Sequence, residues 1–307
     1  MNIIKYRNLF FVLSLLIIIP GVVALSIWGL RLGIDFAGGT LWEIKFTDAQ
    51  KDSQQISASD VKNLIGAQGA EVSSAANTTD QSTIIRMVPT DETKINEIRD
   101  KLRESYGQTE DARLETVGPV ISKELTKKAA TAVGISIVAI VTYVTWAFRK
   151  VAKPASPLAF GVCTIIALIH DVIVVVGIFA LLGHFFGIEV DSLFITALLT
   201  VLGFSVHDTI VVFDRVRENL KKYDDSSFEE VVNHSIVQTL ARSFNTSLTV
   251  LFVLLALLLF GGESTKNFIL ALLIGVISGT YSSIFNASPL LVVWNKLITG
   301  KKKFTAS

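Results

Sequence analysis

Cysteine is nearly absent from the sequence, and the single example, Cys163, lies inside an apolar run. One cysteine cannot close an intramolecular disulfide, and no zinc cluster can be assembled around it. It reads as a small helix-packing residue. Charge is scarce too. Only 18% of the residues are Asp, Glu, Lys or Arg, where an ordinary soluble domain has about a quarter. The charges nearly cancel, to a formal +1, so bulk electrostatics gives no basis for a nucleic-acid partner and none is expected. Of the four histidines, none falls between residues 31 and 126. A phosphate loop is missing as well. The string Asp35-Phe36-Ala37-Gly38-Gly39-Thr40 has glycines but neither the lysine nor the spacing; the glycines suggest a tight backbone passage.

What is abundant is apolar sequence. Half of the residues are hydrophobic and the mean hydropathy is +0.54. They gather in long runs rather than in amphipathic periods, which excludes an ordinary soluble core. The first run, Leu9 to Leu30, holds 22 residues without a charge. It is longer than a signal-peptide core and ends in no small-residue cleavage site, so it reads as a retained span. Six spans are expected in all, at 9–30, 129–148, 158–182, 190–213, 241–260 and 267–294. The fifth is the least apolar at its start, where Arg242, Ser243, Asn245, Thr246 and Ser247 stand. Pro289 is expected to kink or end the sixth.

Positive charge falls on one side if the six spans alternate. Lys5 and Arg7 precede the first, and Arg149, Lys150 and Lys153 separate the second from the third. Arg215, Arg217, Lys221 and Lys222 follow the fourth; Lys296 and Lys301–Lys303 follow the sixth. The opposite loops carry only Glu189, Glu263 and Lys266. This asymmetry predicts cytoplasmic termini, residues 1–8 and the basic tail 295–307. Lys127 and Lys128, just outside the second span, are the exception and can snorkel to the headgroups. Residues 214–240 then form a cytoplasmic connection. In it Phe228, Val231, Val232, Ile236 and Val237 recur at helical spacing, predicting an interfacial amphipathic helix.

Residues 31–126 lie on the far side in this topology. From Asp35 to Glu124 there are 16 acidic and 10 basic residues, a net of −6. Strands are predicted at Leu41–Phe46, Glu71–Ala76, Ser82–Val88 and Ala112–Val117. Helices are predicted at Ser57–Gly66, capped by Ser57 or Ser59, and at Thr90–Tyr106, ended by Gly107. The order βαββαβ is that of a ferredoxin-like α+β domain.

Ionisable groups at bilayer depth are costly, which makes them functional candidates. Two near-identical strings carry such groups, Ile169-His170-Asp171-Val172-Ile173-Val174-Val175 and Val206-His207-Asp208-Thr209-Ile210-Val211-Val212. Neighbouring helix positions diverge by about 100°, so one member of each pair is expected to face the bundle interior and the other a neighbouring helix. Arg242, opening the fifth span, is depth-matched to Asp208. A carboxylate there takes up or releases a proton as its cation leaves or returns. The bland alternative is a static salt bridge, with His170 and His207 donating to helix carbonyls. Gly203, Ser205 and Thr209 surround Asp208 in sequence and allow close approach and water. Gly275, Ser278, Gly279, Ser282 and Ser283 give the sixth span a small-residue packing face. Asp214, Arg215, Arg217 and Glu218 read as a solvated helix end.

These strings carry a resemblance. Asp35-Phe36-x-Gly38-Gly39-Thr40, the long run from Gly203-Phe204-Ser205 through Asp208-Thr209-Ile210-Val211-Val212-Phe213-Asp214-Arg215-x-Arg217-Glu218-Asn219, and Thr239-x-x-Arg242-Ser243 are similar to motifs of the SecF family. That family supplies the smaller membrane subunit of the SecD–SecF protein-export accessory complex. The resemblance covers essentially the whole chain and implies an RND-like half bundle of six helices. It implies a proton-motive-force-driven accessory subunit of the Sec translocase. The implied partners are SecD, the SecYEG channel, the SecA motor, exported unfolded polypeptide and membrane lipids. It implies no cofactor and no enzymatic site. Asp208 matches the family's intramembrane proton-relay aspartate and Arg242 its partner. His207, where asparagine is common, His170, Asp171 and Thr209 are further contributors. The competing readings are a stand-alone RND-like proton-coupled transporter, which as a half bundle needs a homodimer, and a membrane-embedded enzyme, for which no nucleophile–base set converges.

Overall fold

Backbone polar groups in hydrocarbon must be satisfied within the segment, so apolar runs of this length fold as helices. In the computed structural model, which describes residues 2–47, 56–78, 82–223 and 226–304, six helices are long and apolar enough to cross a membrane. They are α1 (Arg7–Trp28), α5 (Pro119–Ala147), α6 (Pro157–Phe186), α7 (Ser192–Lys222), α8 (Phe228–Phe260) and a sixth span built from α9 (Lys266–Ser282) and α10 (Ser288–Phe304). The chain divides into two units, Met1–Arg31 with Ala130–Ser307, and Leu32–Ala129.

Helix ends differ from the hydropathy limits for local reasons. Helix α5 begins at Pro119 rather than near 129, with proline at its first position, where a missing N–H costs nothing. Helix α7 continues to Lys222. Ser227 then caps α8: its hydroxyl accepts from Glu230 N while the Glu230 carboxylate accepts from Ser227 N. No glycine or proline occurs between Phe228 and Phe260. The amphipathic stretch expected as a separate interfacial helix is therefore the first turns of the fifth-span helix; residues 224 and 225 lie outside the described residues. The sixth span does not end at Pro289. A π turn, Ser283–Ala287, precedes it and holds Phe285, whose carbonyl Pro289 has no N–H to bond.

Small residues set the helix spacing. A Cβ built on Gly177 of α6 would lie 2.6 Å from the Gly21 Cα of α1. One on Gly275 would meet the Val201 side chain of α7 at 2.1 Å, and one on Gly279 would meet Ser205 Cβ at 2.9 Å. Gly203, by contrast, is exposed, with nothing within 4 Å. It takes no part in the close approach expected of it.

The second unit contains α2 (Ile34–Ala37), β1 (Gly39–Phe46), α3 (Ala58–Ala67), β2 (Val72–Asn77), β3 (Ser82–Met87), α4 (Glu92–Tyr106) and β4 (Thr109–Val117). The strands form one sheet, ordered β2-β3-β1-β4, with every pairing antiparallel. Side chains alternate across strands, so Trp42, Ile44, Phe46, Ile85 and Met87 share one face. Val61 and Ile65 of α3 and Ile95, Ile98 and Leu102 of α4 close over them. Ser57 caps α3 by accepting from Ser59 N, and Asp91 caps α4 by accepting from Lys94 N at 2.8 Å. Gly107 ends α4 at φ 86°, and Gly39 opens β1 at φ 130°, where a Cβ would lie 2.8 Å from the Met87 carbonyl oxygen.

The glycine contacts make a comparison testable. Gly177→Val is expected to lower the thermal stability of the detergent-solubilised protein by about 1–3 kcal/mol through overpacking. Gly203→Ala should leave it unchanged. A thermal-unfolding scan of both variants decides this, and equal midpoints would contradict the packing described.

Candidate functional site

Several of the polar residues buried among the spans gather around two carboxylates. One is Asp171 on α6, fully buried, with two donors on each carboxylate oxygen. Ser205 Oγ of α7 and Ser282 Oγ of α9 donate to Oδ2 at 2.6 and 2.7 Å. Ser278 Oγ of α9 donates to Oδ1 at 2.7 Å, and His170 Nδ1 donates to the same oxygen at 3.0 Å. Ser278 and Ser282 are four residues apart, so one helix face presents both hydroxyls. Gly279, between them, lets that face reach α7. The sixth-span stripe read from the sequence as a packing face is thus also the donor set for a carboxylate.

Asp208 lies on α7 three residues beyond Ser205 and is also buried. Its only hydrogen bond among the described residues is a 3.5 Å contact from Ser247 Oγ of α8 to Oδ2. Ser247 also meets Thr280 Oγ1 of α9 at 2.6 Å. Thr209 Oγ1 donates to the Ser205 carbonyl at 3.1 Å and lies 2.8 Å from Ser283 Oγ. The two carboxylates therefore have unequal surroundings. Asp171 has four hydrogen-bond contacts, at 2.6 to 3.0 Å, whereas Asp208 has one long bond at the upper limit of such contacts.

Of the expected geometry, only the inward direction of Asp208 is seen in the second pair, and the first pair departs from it. Asp208 faces inward and His207 is exposed. His170 and Asp171 are both buried and bond each other across adjacent positions. The reason lies in the surroundings: α6 packs against α1, α7 and α9, so both faces of its polar dipeptide are covered. His170 Nε2 and Ser243 Oγ are buried without a hydrogen-bond partner.

Arg242 does not join Asp208 in this structure. It is exposed, and no ion pair links the two. Ser235, Thr239, Ser243 and Ser247 form the buried stripe of α8, spaced every four residues. Arg242 precedes one of them and so turns about 100° away. Asp214, Arg215, Arg217 and Glu218 pair locally, Arg217 with Asp214 at 2.5 Å and Arg215 with Glu218 at 2.9 Å. Among the described residues no group of three His, Cys, Asp or Glu could hold a metal ion. Ser247 and Thr280 were overlooked as site residues. The four-residue spacing that carries Ser235, Thr239, Ser243 and Ser247 along one face was the available signal.

Six apolar spans, an α+β unit between the first two, and buried carboxylates held by hydroxyls define a multi-pass membrane protein whose bundle interior is polar at its centre. Two family models match it. One, described as protein export membrane protein SecD/SecF, C-terminal, covers residues 97–297, and another, the SecD/SecF GG motif, covers residues 23–50. Protein translocase subunit SecF of Thermobaculum terrenum is 49% identical over 306 residues, covering 95% of this chain and 93% of that protein. The SecF subunit of Anaerolinea thermophila is 44% identical, covering 96% and 94%. A crystal structure of SecDF, a translocon-associated membrane protein from a Thermus species, superposes with a TM-score of 0.81 at 34% identity. The alignment covers 96% of this chain and 38% of that longer one. The chain belongs to the SecF family of accessory subunits of the Sec protein translocase, a family of membrane subunits rather than enzymes.

The unequal carboxylates give a stability contrast. Asp171→Ala strands three hydroxyls and an imidazole N–H, so a loss of about 3 kcal/mol or more is expected. Asp208→Asn should cost about 1 kcal/mol or less. Thermal unfolding of both variants in the same detergent measures the difference; equal losses would refute the asymmetry.

Proposed function

We propose that this chain helps move polypeptide out across the cytoplasmic membrane, driven by the proton-motive force, with Asp208 as the proton-carrying group. The observation that carries the reading is the buried Asp208 carboxylate with one 3.5 Å hydrogen bond. A group so lightly held can gain and lose a proton without dismantling the bundle. Asp171 is held instead by contacts that join three helices. Asp171 and His170 act in this reading as the fixed frame, while Thr209 and Ser247 position Asp208.

Arg242 enters at another stage. It lies five residues before Ser247 on α8, about 7.5 Å along the axis. A rotation of the fifth span brings its guanidinium toward Asp208, pairing with the ionised carboxylate and leaving the protonated one. His207, exposed beside Asp208, faces the direction from which a neighbouring subunit or lipid approaches.

The partner of that surface is SecD, whose spans complete a twelve-helix bundle. SecYEG and SecA act on the same exported chain. The lysine and arginine asymmetry supports a topology with both termini in the cytoplasm. It puts the α+β unit outside, where its βαββαβ order and β2-β3-β1-β4 sheet fit a ferredoxin-like module that binds or levers the emerging polypeptide. No observation favours a stand-alone homodimeric transporter.

Membrane vesicles carrying Asp208→Asn test this reading. The gradient-dependent part of export should vanish at equal subunit abundance, with the ATP-driven part intact. Unchanged gradient-dependent export would sink it.

A further inference from the structure

The end of α5 carries cations that nothing in this chain neutralises. Arg149, Lys150 and Lys153 are exposed and form no ion pair among the described residues. From Trp146 to His170 the sequence holds no acidic residue. Cations at neighbouring helix ends are paired: Arg7 and Lys296 with Glu229, Arg215 with Glu218, and Arg217 with Asp214. Topology alone does not demand this difference, because the positive-inside bias counts lysine and arginine and is nearly blind to acids.

These cations stand on a loop of fixed shape. Arg149 N donates to the Trp146 carbonyl at 3.2 Å and Val151 N to the Phe148 carbonyl at 3.1 Å, so the helix tightens as it ends. Phe148 is buried and stacks on Phe160 of α6, with ring centroids 4.8 Å apart. Val151, Ala152 and Ala155 pack on the same core. With these anchors inside, Arg149, Lys150 and Lys153 are left outside. The Arg149 guanidinium folds over the Trp146 ring, 4.1 Å from its centroid, and its Nη1 donates to the Trp146 carbonyl at 3.0 Å. The rest of its fork of donors is available to an anion. The surface beside it suits lipid. Only 6% of the apolar window of α5 is buried within this chain. Tyr143 and Trp146, three residues apart on one face, are 56% and 59% exposed. Aromatic side chains so placed at the end of a span sit at the level of the headgroups.

We propose that Trp146, Arg149, Lys150 and Lys153 bind the headgroup of an anionic phospholipid. The lipid phosphate accepts from the Arg149 guanidinium and from the Lys150 and Lys153 ammonium groups, and the acyl chains lie along the Tyr143 and Trp146 face of α5. Stacking on Trp146 holds the guanidinium plane ready, which a lysine at 149 could not reproduce. A zwitterionic lipid offers the same phosphate but brings an ammonium group of its own, which these cations repel. The site does not depend on Asp208 carrying a proton.

Tryptophan fluorescence of the complex with the partner subunit, in lipid nanodiscs, tests this. The Trp146 signal is the difference between the protein and its Trp146→Phe variant. Nanodiscs of phosphatidylcholine carry a small fraction of one brominated lipid, either phosphatidylglycerol or phosphatidylcholine, whose bromines quench on contact. The site predicts that brominated phosphatidylglycerol quenches Trp146 about fivefold or more strongly at equal fraction, the worth of one basic residue near an anionic surface. Combined Arg149→Gln, Lys150→Gln and Lys153→Gln should bring the two lipids level, and Arg149→Lys should lower the preference with the charge unchanged. Lys221→Gln with Lys222→Gln, at the end of α7, should leave it intact. Equal quenching by both lipids overturns the site, because it reports contact with hydrocarbon alone. A preference that survives the triple variant, or that falls as far in the α7 variant, overturns it in favour of diffuse surface charge. Absence of quenching by either lipid overturns it in favour of another protein covering this end of α5.

Discussion

Two donors on each oxygen of a single buried carboxylate hold the centre of this bundle together. Asp171 draws Ser205 of the fourth span and Ser278 and Ser282 of the sixth onto the third, and its own neighbour His170 completes the set. In hydrocarbon there is no water to take over these bonds, so the arrangement is all or nothing. The three helices must stand close enough for hydroxyls to reach one point. That requirement explains Gly279 against Ser205 and Gly275 against Val201. It also explains why the sixth span is rich in serine where a packing face alone would be served by alanine.

Against that frame, Asp208 is conspicuous for how little holds it. It sits three residues from Ser205, yet only Ser247 reaches it. Ser247 belongs to the fifth span, whose apolar window is 17% buried, against 50% for the third and fourth. Within this chain the fifth span is covered less than the third, fourth and sixth. A triad of helices joined at one carboxylate beside a less covered helix is a mechanical arrangement as well as a chemical one. The frame keeps one carboxylate in place, while the other faces the helix that this chain covers less. Arg242 lies on that helix, outside the buried stripe, and a turn changes which of its side chains meets Asp208.

Much of this was legible in the sequence because hydrocarbon and sheets both impose strict patterns. The run from Leu9 to Leu30 has its counterpart in α1, and the βαββαβ order, the Ser57 cap and the Gly107 stop appear as their residue chemistry dictates. Helix ends were less legible. Hydropathy falls where a helix leaves the membrane, but the helix itself continues until a cap or breaker intervenes, as at Ser227 and Tyr223. Side-chain direction was the least legible. His207 and His170 occupy matching positions in matching strings, yet one is exposed and the other buried, because only the packing of whole helices decides how many sides of a span are covered. Arg242 lies about 7.5 Å along the fifth span from Ser247, which contacts Asp208, and outside the buried stripe; hydropathy fixes neither that offset nor the azimuth of a side chain.

The central claim is that the two buried carboxylates have different duties, one structural and one proton-exchanging. Infrared difference spectroscopy of the complex in bilayers, stepped in pH, reads carboxyl protonation directly. The account predicts a protonated-carboxyl band that responds to pH, disappears in Asp208→Asn and persists in Asp171→Asn. A band that survives in Asp208→Asn and disappears in Asp171→Asn would contradict it.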